Sequence, residues 1–157
     1  MLDVGCNATI RLKDNILANQ ENRLSKSILN KAIKSGNEFG WRQNNVMEVI
    51  QAAKQIPMGI IGGQVQYVLP DGTCELYWLN IDPIERQANE PWETYCNRTA
   101  EESIIKFNAL IKSADIEEEA LASFTFLADK KAIGVNINDF LVFMLYFDDT
   151  ETDLFVS

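Results

Sequence analysis

The sequence contains no histidine. This absence removes the commonest general base, the commonest metal ligand and every Ser-His or Cys-His nucleophile pair. A GxxxxGK[ST] phosphate-binding loop is also missing. Carboxylates are the only abundant catalytic groups that remain, so the sequence shows no recognisable catalytic apparatus. We therefore expect that the protein is not an enzyme.

Cysteine is scarce. Cys6, Cys74 and Cys96 are odd in number and widely spaced, without a CxxC pair. This pattern argues against a disulfide framework and against a zinc site, and it favours buried free thiols. The acidic stretch 148–153 has alternating oxygen ligands but lacks the glycine and the closing glutamate of an EF-hand loop. We predict no metal and no cofactor.

Long apolar runs are missing as well. None approaches the roughly 20 residues that span a bilayer. The first residues, Met1–Gly5, lack the basic and then apolar segments of a signal peptide. We expect no membrane partner and a cytoplasmic location. With 157 residues, 46% of them apolar, the chain can bury a sizeable core as a single domain, 1–157.

The charge is unevenly distributed. Residues 1–79 carry 8 basic and 7 acidic side chains, whereas residues 80–157 carry 6 basic and 16 acidic ones. A strong negative field repels nucleic acid and attracts a basic partner. The basic residues also do not interleave with aromatic ones, as a nucleic-acid platform would require. We predict a basic protein partner and no nucleic acid, with solubility as the alternative reason for the acidity.

The clearest local pattern is a β-hairpin. Apolar and polar residues alternate on both sides of Pro70-Asp71-Gly72, where glycine is expected to supply a left-handed turn position. The pattern predicts a sheet covered by helices on one side, with Trp78 in the core. The glycine-rich segment Gly59–Gly63 lacks the context of a dinucleotide loop, so we interpret it as a flexible entry or bulge into the hairpin.

Helical spacing predicts about four helices. They cover 20–35 with Gly36 as the stop, 45–57, a segment from Thr99 onward, and 115–131; the last three begin with capping boxes. The apolar run Phe140–Phe147 predicts a central strand that is buried on both faces. Residues 3–19 and 154–156 are expected to form short strands or irregular segments. The fold class is α+β (mixed α/β), a small, mostly antiparallel sheet with a central hairpin and helices packed on it.

Aromatic residues near carboxylates suggest a binding surface. Tyrosine and tryptophan surrounded by charge are typical of interface hot spots. We predict that Trp92 contacts a partner, although a core position is an equal alternative. The acidic residues of the predicted partner-binding surface are Asp82, Glu85, Glu90, Glu93, Glu117, Glu118, Asp148, Asp149, Glu151 and Asp153.

Two other functions remain open. A small carboxylate-dependent enzyme would need two carboxylates at a defined separation across a cleft, and Asp71, Glu75 and Asp82 around the hairpin are its candidates. An adaptor subunit would bind a host partner.

The acidic bias, the sheet-and-helix pattern and the hairpin segment 62–78 (GGQVQYVLPDGTCELYW) suggest a family. In these features the chain resembles the small immunity proteins of bacterial toxin systems, including those paired with contact-dependent growth-inhibition toxins. The resemblance implies a role and not a fold. It implies tight binding to a basic toxin domain, often a nuclease, whose active site or substrate access is blocked.

The charge distribution generates a first prediction. The association rate with a cationic partner should fall steeply as salt is added. We expect association to slow strongly when four acidic residues near the end of the sequence are changed to lysine: Asp148, Asp149, Glu151 and Asp153. Stopped-flow association rates at several salt concentrations measure this, and an unchanged rate would argue against that surface.

Overall fold

Five antiparallel strands form one sheet, packed with five α-helices, in a computed structural model that describes residues 23–149. The helices are α1 (Lys26–Asn30), α2 (Val46–Gln55), α3 (Trp92–Ser113), α4 (Ile116–Ser123) and α5 (Thr125–Ala132). The strands are β1 (Ile33–Ser35), β2 (Glu38–Trp41), β3 (Gly59–Leu69), β4 (Gly72–Asn80) and β5 (Leu141–Asp148), in the spatial order β1-β2-β5-β3-β4. The predicted α+β class with an antiparallel sheet is confirmed.

Strand β5 is the centre of the sheet, as the apolar run predicts. It pairs with β2 on one side and with β3 on the other. Every residue from 142 to 147 is buried. A strand with neighbours on both edges and cover on both faces needs such a continuous apolar sequence. The hairpins β1–β2 and β3–β4 therefore belong to one sheet only through β5.

The core lies between the helices and one face of the sheet. Trp41 and Val65 flank Phe143 across β2, β5 and β3. The Phe107 ring of α3 meets the Phe143 ring edge to face, with centroids 5.3 Å apart. The Trp41 indole donates a 2.9 Å hydrogen bond to the carbonyl of Ile28 in α1. These side chains are buried, so α1 and α3 cover the same face.

A buried threonine ties α3 to β3. The Thr99 hydroxyl accepts a 3.0 Å hydrogen bond from the Ile60 amide and donates one to the Tyr95 carbonyl. The register of β3 against β5 shifts between Ile60 and Gly62, which confirms the predicted bulge. The predicted helix start at Thr99 is wrong, because α3 begins seven residues earlier, directly after Pro91. Proline is common at the start of a helix, because its missing N–H leaves no helical hydrogen bond unmade there.

The first predicted helix, 20–35, is wrong over most of its described residues, since α1 covers only Lys26–Asn30. Helix α1 ends at Asn30, and Ile33–Ser35 forms β1 instead. Gly36 has φ of 62° and lies in the turn between β1 and β2, so it closes a hairpin and does not end a helix. The residues predicted at 3–19 and 154–156 lie outside the described part of the chain.

The predicted caps have mixed outcomes. Asp115 caps α4 as predicted, since its carboxylate accepts the Glu118 amide at 3.0 Å. Asn45 makes no side-chain cap hydrogen bond, because a 3-10 turn precedes α2, and Glu48 pairs with Lys31 instead. The single helix predicted over 115–131 is two helices, since Phe124 has an extended backbone between α4 and α5.

The β3–β4 hairpin is confirmed, with two differences. Leu69 pairs with Gly72 around the two-residue turn, and Gly72 does not adopt the expected left-handed conformation, which among the described glycines occurs at Gly36 and Gly134. At the other end, the partners change from Leu76 opposite Val65 to Asn80 opposite Gln64. Residues 77–79 therefore form a bulge. The alternation fails there, and the prediction of Trp78 in the core is wrong.

Two further sequence predictions concern thiols and membranes. Cys74 and Cys96 are buried and free, as predicted, and burial raises the pKa of the Cys74 thiol to about 11. Cys6 lies outside the described residues. Within 23–149, none of the helices combines the length and the apolar character that crossing a bilayer requires.

Thr99 provides a test of the fold. Thr99→Val removes the oxygen that accepts the Ile60 amide and leaves a buried N–H unpaired, whereas Thr99→Ser retains the oxygen. We expect valine to lower the free energy of unfolding by about 1–3 kcal/mol and serine by less. Urea denaturation monitored by circular dichroism measures both. Equal losses would contradict this role for the hydroxyl.

Candidate partner-binding surface

The predicted site residues fall into two groups at opposite ends of α3. Glu90, Trp92 and Glu93 lie at its start, where the Tyr95 hydroxyl donates to Asp148 at 3.4 Å. Glu117 and Glu118 lie in α4, just beyond its end. A helix of 22 residues is about 33 Å long, so the two groups lie far apart on the protein. The remaining predicted residues are Asp82 and Glu85 in the loop after β4, Asp149 after β5, and Glu151 and Asp153 outside the described residues.

The first group makes contacts within the molecule. The guanidinium of Arg98 in α3 donates two hydrogen bonds, of 2.6 and 2.9 Å, to the Glu90 carboxylate. Only 8% of the Glu90 side chain is exposed. Arg86 lies over the Trp92 ring, 5.3 Å from its centroid. Trp92 is therefore half-buried, and an arginine of the same chain lies over its ring. Glu85 and Glu93 remain exposed.

Arg98 organises the contacts at this end of α3, and it is absent from the predicted site residues. Besides Glu90, its guanidinium donates to Glu102 at 3.0 Å and to the carbonyls of Ile84 and Glu85. The loop before α3 is thereby fixed to the helix. The Arg98 hydrogen bonds also hold the pKa of the Glu90 carboxyl below its usual range. The spacing of Arg98 and Glu102, one helical turn apart, was the available signal.

The three carboxylates of the enzyme alternative occupy separate settings. Asp71 in the hairpin turn pairs with Lys130, which lowers the pKa of its carboxyl. Asp82 accepts the Gly63 amide at 3.0 Å, close to the bulge of β3. Glu75 accepts hydrogen bonds from glutamines of β3. These contacts are to different parts of the molecule, and none of them joins two of the three carboxylates.

Glu75 belongs to a polar cluster on the sheet face opposite the Phe143 side chain. The Gln66 amide donates to Glu75 at 3.0 Å and to Glu38 at 3.4 Å. The Tyr146 hydroxyl also donates to Glu38. Gln66 is only 1% exposed, and its side-chain oxygen has no hydrogen-bond partner. Alternation placed these glutamines on the second face of the hairpin, but their connection to β2 depends on the strand order.

The second group centres on an acidic turn, which we define as Glu117, Glu118 and Glu119 in the first turn of α4. The helix dipole favours carboxylates at this position. Glu117 pairs with Lys131 and accepts a hydrogen bond from Asn138. Glu118 is exposed. Within residues 23–149, neither Glu118 nor Glu119 forms an ion pair.

An aromatic platform, formed by Tyr77, Trp78 and Phe124, adjoins the acidic turn. Tyr77 is 55% exposed and Trp78 is 39% exposed. The Trp78 ring stacks on Phe124 with an interplanar angle of 16° and meets Tyr77 edge to face. Its indole N–H donates a 2.9 Å hydrogen bond to Glu119. The sequence could not reveal this platform, because the bulge in β4 turns these side chains outward.

An open groove of about 1020 Å³ lies on the other side of the acidic turn. Its walls come from the 3-10 turn before α2, the end of α3 and the start of α4, and they include Asp115 and Glu117. The buried Tyr67 hydroxyl has no hydrogen-bond partner, and its pKa is raised by burial and then by these two carboxylates.

Comparison with protein-family models, curated proteins and solved structures finds no match for this chain. The functional interpretation therefore rests on the geometry of the described residues.

Glu90 generates a pH prediction. A carboxyl with a lowered pKa in the folded state stabilises the protein above its ordinary pKa of about 4.5, and this stabilisation is lost as the pH falls toward the folded-state value. We expect Glu90→Gln to be less stable than wild type at pH 7, with a difference that shrinks below pH 4.5. Thermal unfolding at several pH values measures this. The exposed Glu93→Gln serves as the control, and a constant difference across pH for Glu90→Gln would contradict the mechanism.

Proposed function

We propose that this domain is an immunity protein that binds and neutralises a cationic toxin domain through the acidic turn and the aromatic platform. The observation that carries the proposal is the exposure of Tyr77 and Trp78 beside three consecutive glutamates. The role is the one that the resemblance to toxin immunity proteins implies. It places the protein and its partner in the cytoplasm.

The aromatic side chains supply the binding energy in this proposal. Tyrosine and tryptophan are enriched among residues whose truncation costs an interface the most. Trp78 is held in one orientation by Phe124 and Glu119. A side chain that is ordered before binding loses little conformational entropy when a partner covers it. The platform is therefore suited to anchor a protein.

In this proposal, the acidic side chains speed association with the partner and select for a basic protein. The whole chain has a net charge of −9, and Glu118 and Glu119 lack internal cationic partners among the described residues. At the opposite end of α3, Arg86 and Arg98 offset part of the acidity. Unpaired carboxylates attract a basic protein and repel acidic competitors. Glu118 and Glu119 lie beside the exposed rings of Tyr77 and Trp78, whereas Trp92 in the first group is half-buried, and this difference favours the acidic turn as the contact.

We expect the adjacent reading frame to encode a protein with a basic C-terminal domain, and the test uses that domain together with two matched charge reversals. Glu118→Lys and Glu93→Lys each change an exposed glutamate in the first turn of a helix. We expect Glu118→Lys to slow association about tenfold at low salt and to abolish protection of cells that express the toxin domain, because it reverses charge at the contact. Glu93→Lys should behave nearly as wild type.

Surface plasmon resonance at two salt concentrations and a co-expression survival assay measure these effects. Equal effects of the two reversals would move the contact away from the acidic turn. The immunity role itself would be wrong if the wild-type domain neither bound nor neutralised the neighbouring basic domain.

A further inference from the structure

We propose that the aromatic platform recognises an arginine side chain, whose guanidinium lies against the exposed Trp78 indole and pairs with Glu119. The inference rests on the proposed function, since it names the chemical group through which the basic partner would bind. It adds a preference for arginine over lysine, which attraction by an acidic surface alone does not produce.

The position of the Glu119 carboxylate is the first observation that supports an arginine site. The Trp78 indole N–H donates to Glu119 Oε1 at 2.9 Å. Because an indole N–H points outward in the plane of its ring, the carboxylate lies at the ring edge and not over the ring face. A planar cation that lies against the exposed part of the indole, away from Phe124, therefore has this carboxylate within reach at its side. One ligand group can use both contacts at once.

The fixed orientation of the Trp78 indole is the second observation that supports an arginine site. Phe124 stacks on it with ring centroids 6.4 Å apart, and Tyr77 meets it edge to face at 5.3 Å. These contacts and the Glu119 hydrogen bond define the ring orientation while 39% of Trp78 stays exposed. The site is thus formed before a partner arrives, which lowers the cost of binding.

The chemical differences between arginine and lysine explain why we expect the site to prefer arginine. A guanidinium is planar and weakly hydrated, and it both stacks on aromatic rings and forks onto carboxylates. Tryptophan is the best aromatic partner for such a cation. A lysine ammonium is compact and strongly hydrated, so it can pair with Glu119 but gains little from stacking.

The same chemistry occurs inside the protein at the other end of α3. The Arg86 guanidinium lies 5.3 Å from the Trp92 centroid and 5.5 Å from the Tyr95 centroid. At Trp92 the chain supplies its own arginine. No cation lies over the Trp78 ring within residues 23–149. We propose that an arginine from a partner takes this position.

The experiment titrates the full chain with two peptides of equal charge, acetyl-tetraarginine amide and acetyl-tetralysine amide. Indole N–H signals in ¹H–¹⁵N NMR spectra report the three tryptophans separately, and Trp78→Phe assigns the Trp78 signal. We expect tetraarginine to shift the Trp78 signal saturably and to bind about threefold to fivefold more tightly than tetralysine. The signals of Trp41 and Trp92 should stay in place.

Two conservative variants separate recognition from general charge attraction. Glu119→Gln keeps an oxygen for the indole N–H but removes the charge, and we expect it to reduce the preference for arginine, because the guanidinium loses its fork onto the carboxylate and retains only the stacking contact. Glu118→Gln is the matched control, which should weaken both peptides equally and retain the preference. The amide spectra of the variants verify that they fold.

Each result of the peptide titration either supports or contradicts the arginine site. Equal affinity for both peptides would overturn arginine recognition and leave a cationic partner bound by charge alone, so the proposed immunity function would stand. Binding that shifts Trp92 and not Trp78, or no binding of tetraarginine, would also overturn the arginine site. Failure of the toxin-neutralisation assay is a separate result, since it would contradict the function whatever the peptides do.

Discussion

The pairing of β5 with both β2 and β3 is the constraint on which the rest of the fold depends. β5 is the last strand of the described chain, yet it lies in the middle of the sheet. Without it, the hairpins β1–β2 and β3–β4 share no strand pairing. Its partners are up to about a hundred residues away in sequence, as between Trp41 and Phe143. Forming such distant pairs requires most of the chain to be in place.

The binding surface depends on that sheet through two further elements. Helix α3 packs Phe107 on β5 and holds the start of β3 through Thr99. Its length determines where α4 begins, and α4 brings Glu119 to Trp78 at the edge strand. The acidic turn and the aromatic platform thus come from distant parts of the sequence. They meet because α3 spans the distance between them.

Local patterns predicted the elements whose residues follow one period throughout. The run Phe140–Phe147 and the hairpin around Pro70 belong to this class. The buried stripe of α2 does too, with Val46, Val49, Ile50 and Ala53. Where the period breaks, prediction failed. Ile33 follows α1 closely enough to continue a helical pattern, and only pairing with Gly40 makes it part of a strand.

The candidate site was harder to predict, because its geometry is not local. Closeness in sequence suggested that Trp92 and Glu90 form a surface, but Arg86 and Arg98 engage them. The three-residue bulge opposite Gln64 and Val65 reverses the expected burial of Trp78. Such a bulge leaves no mark in apolar spacing. Of the contact proposed above, the sequence predicted Glu117 and Glu118 but neither Glu119 nor the aromatic platform.

The bulge at residues 77–79 has another consequence, for self-association. β4 is the edge strand of the described sheet, and a long, flat edge strand offers a template on which other chains can add strands and aggregate. The bulge breaks the regular spacing of backbone donors and acceptors, so only the part of β4 near the hairpin turn stays regular. One irregularity therefore protects the sheet edge from other copies of the chain while it turns Trp78 toward the solvent.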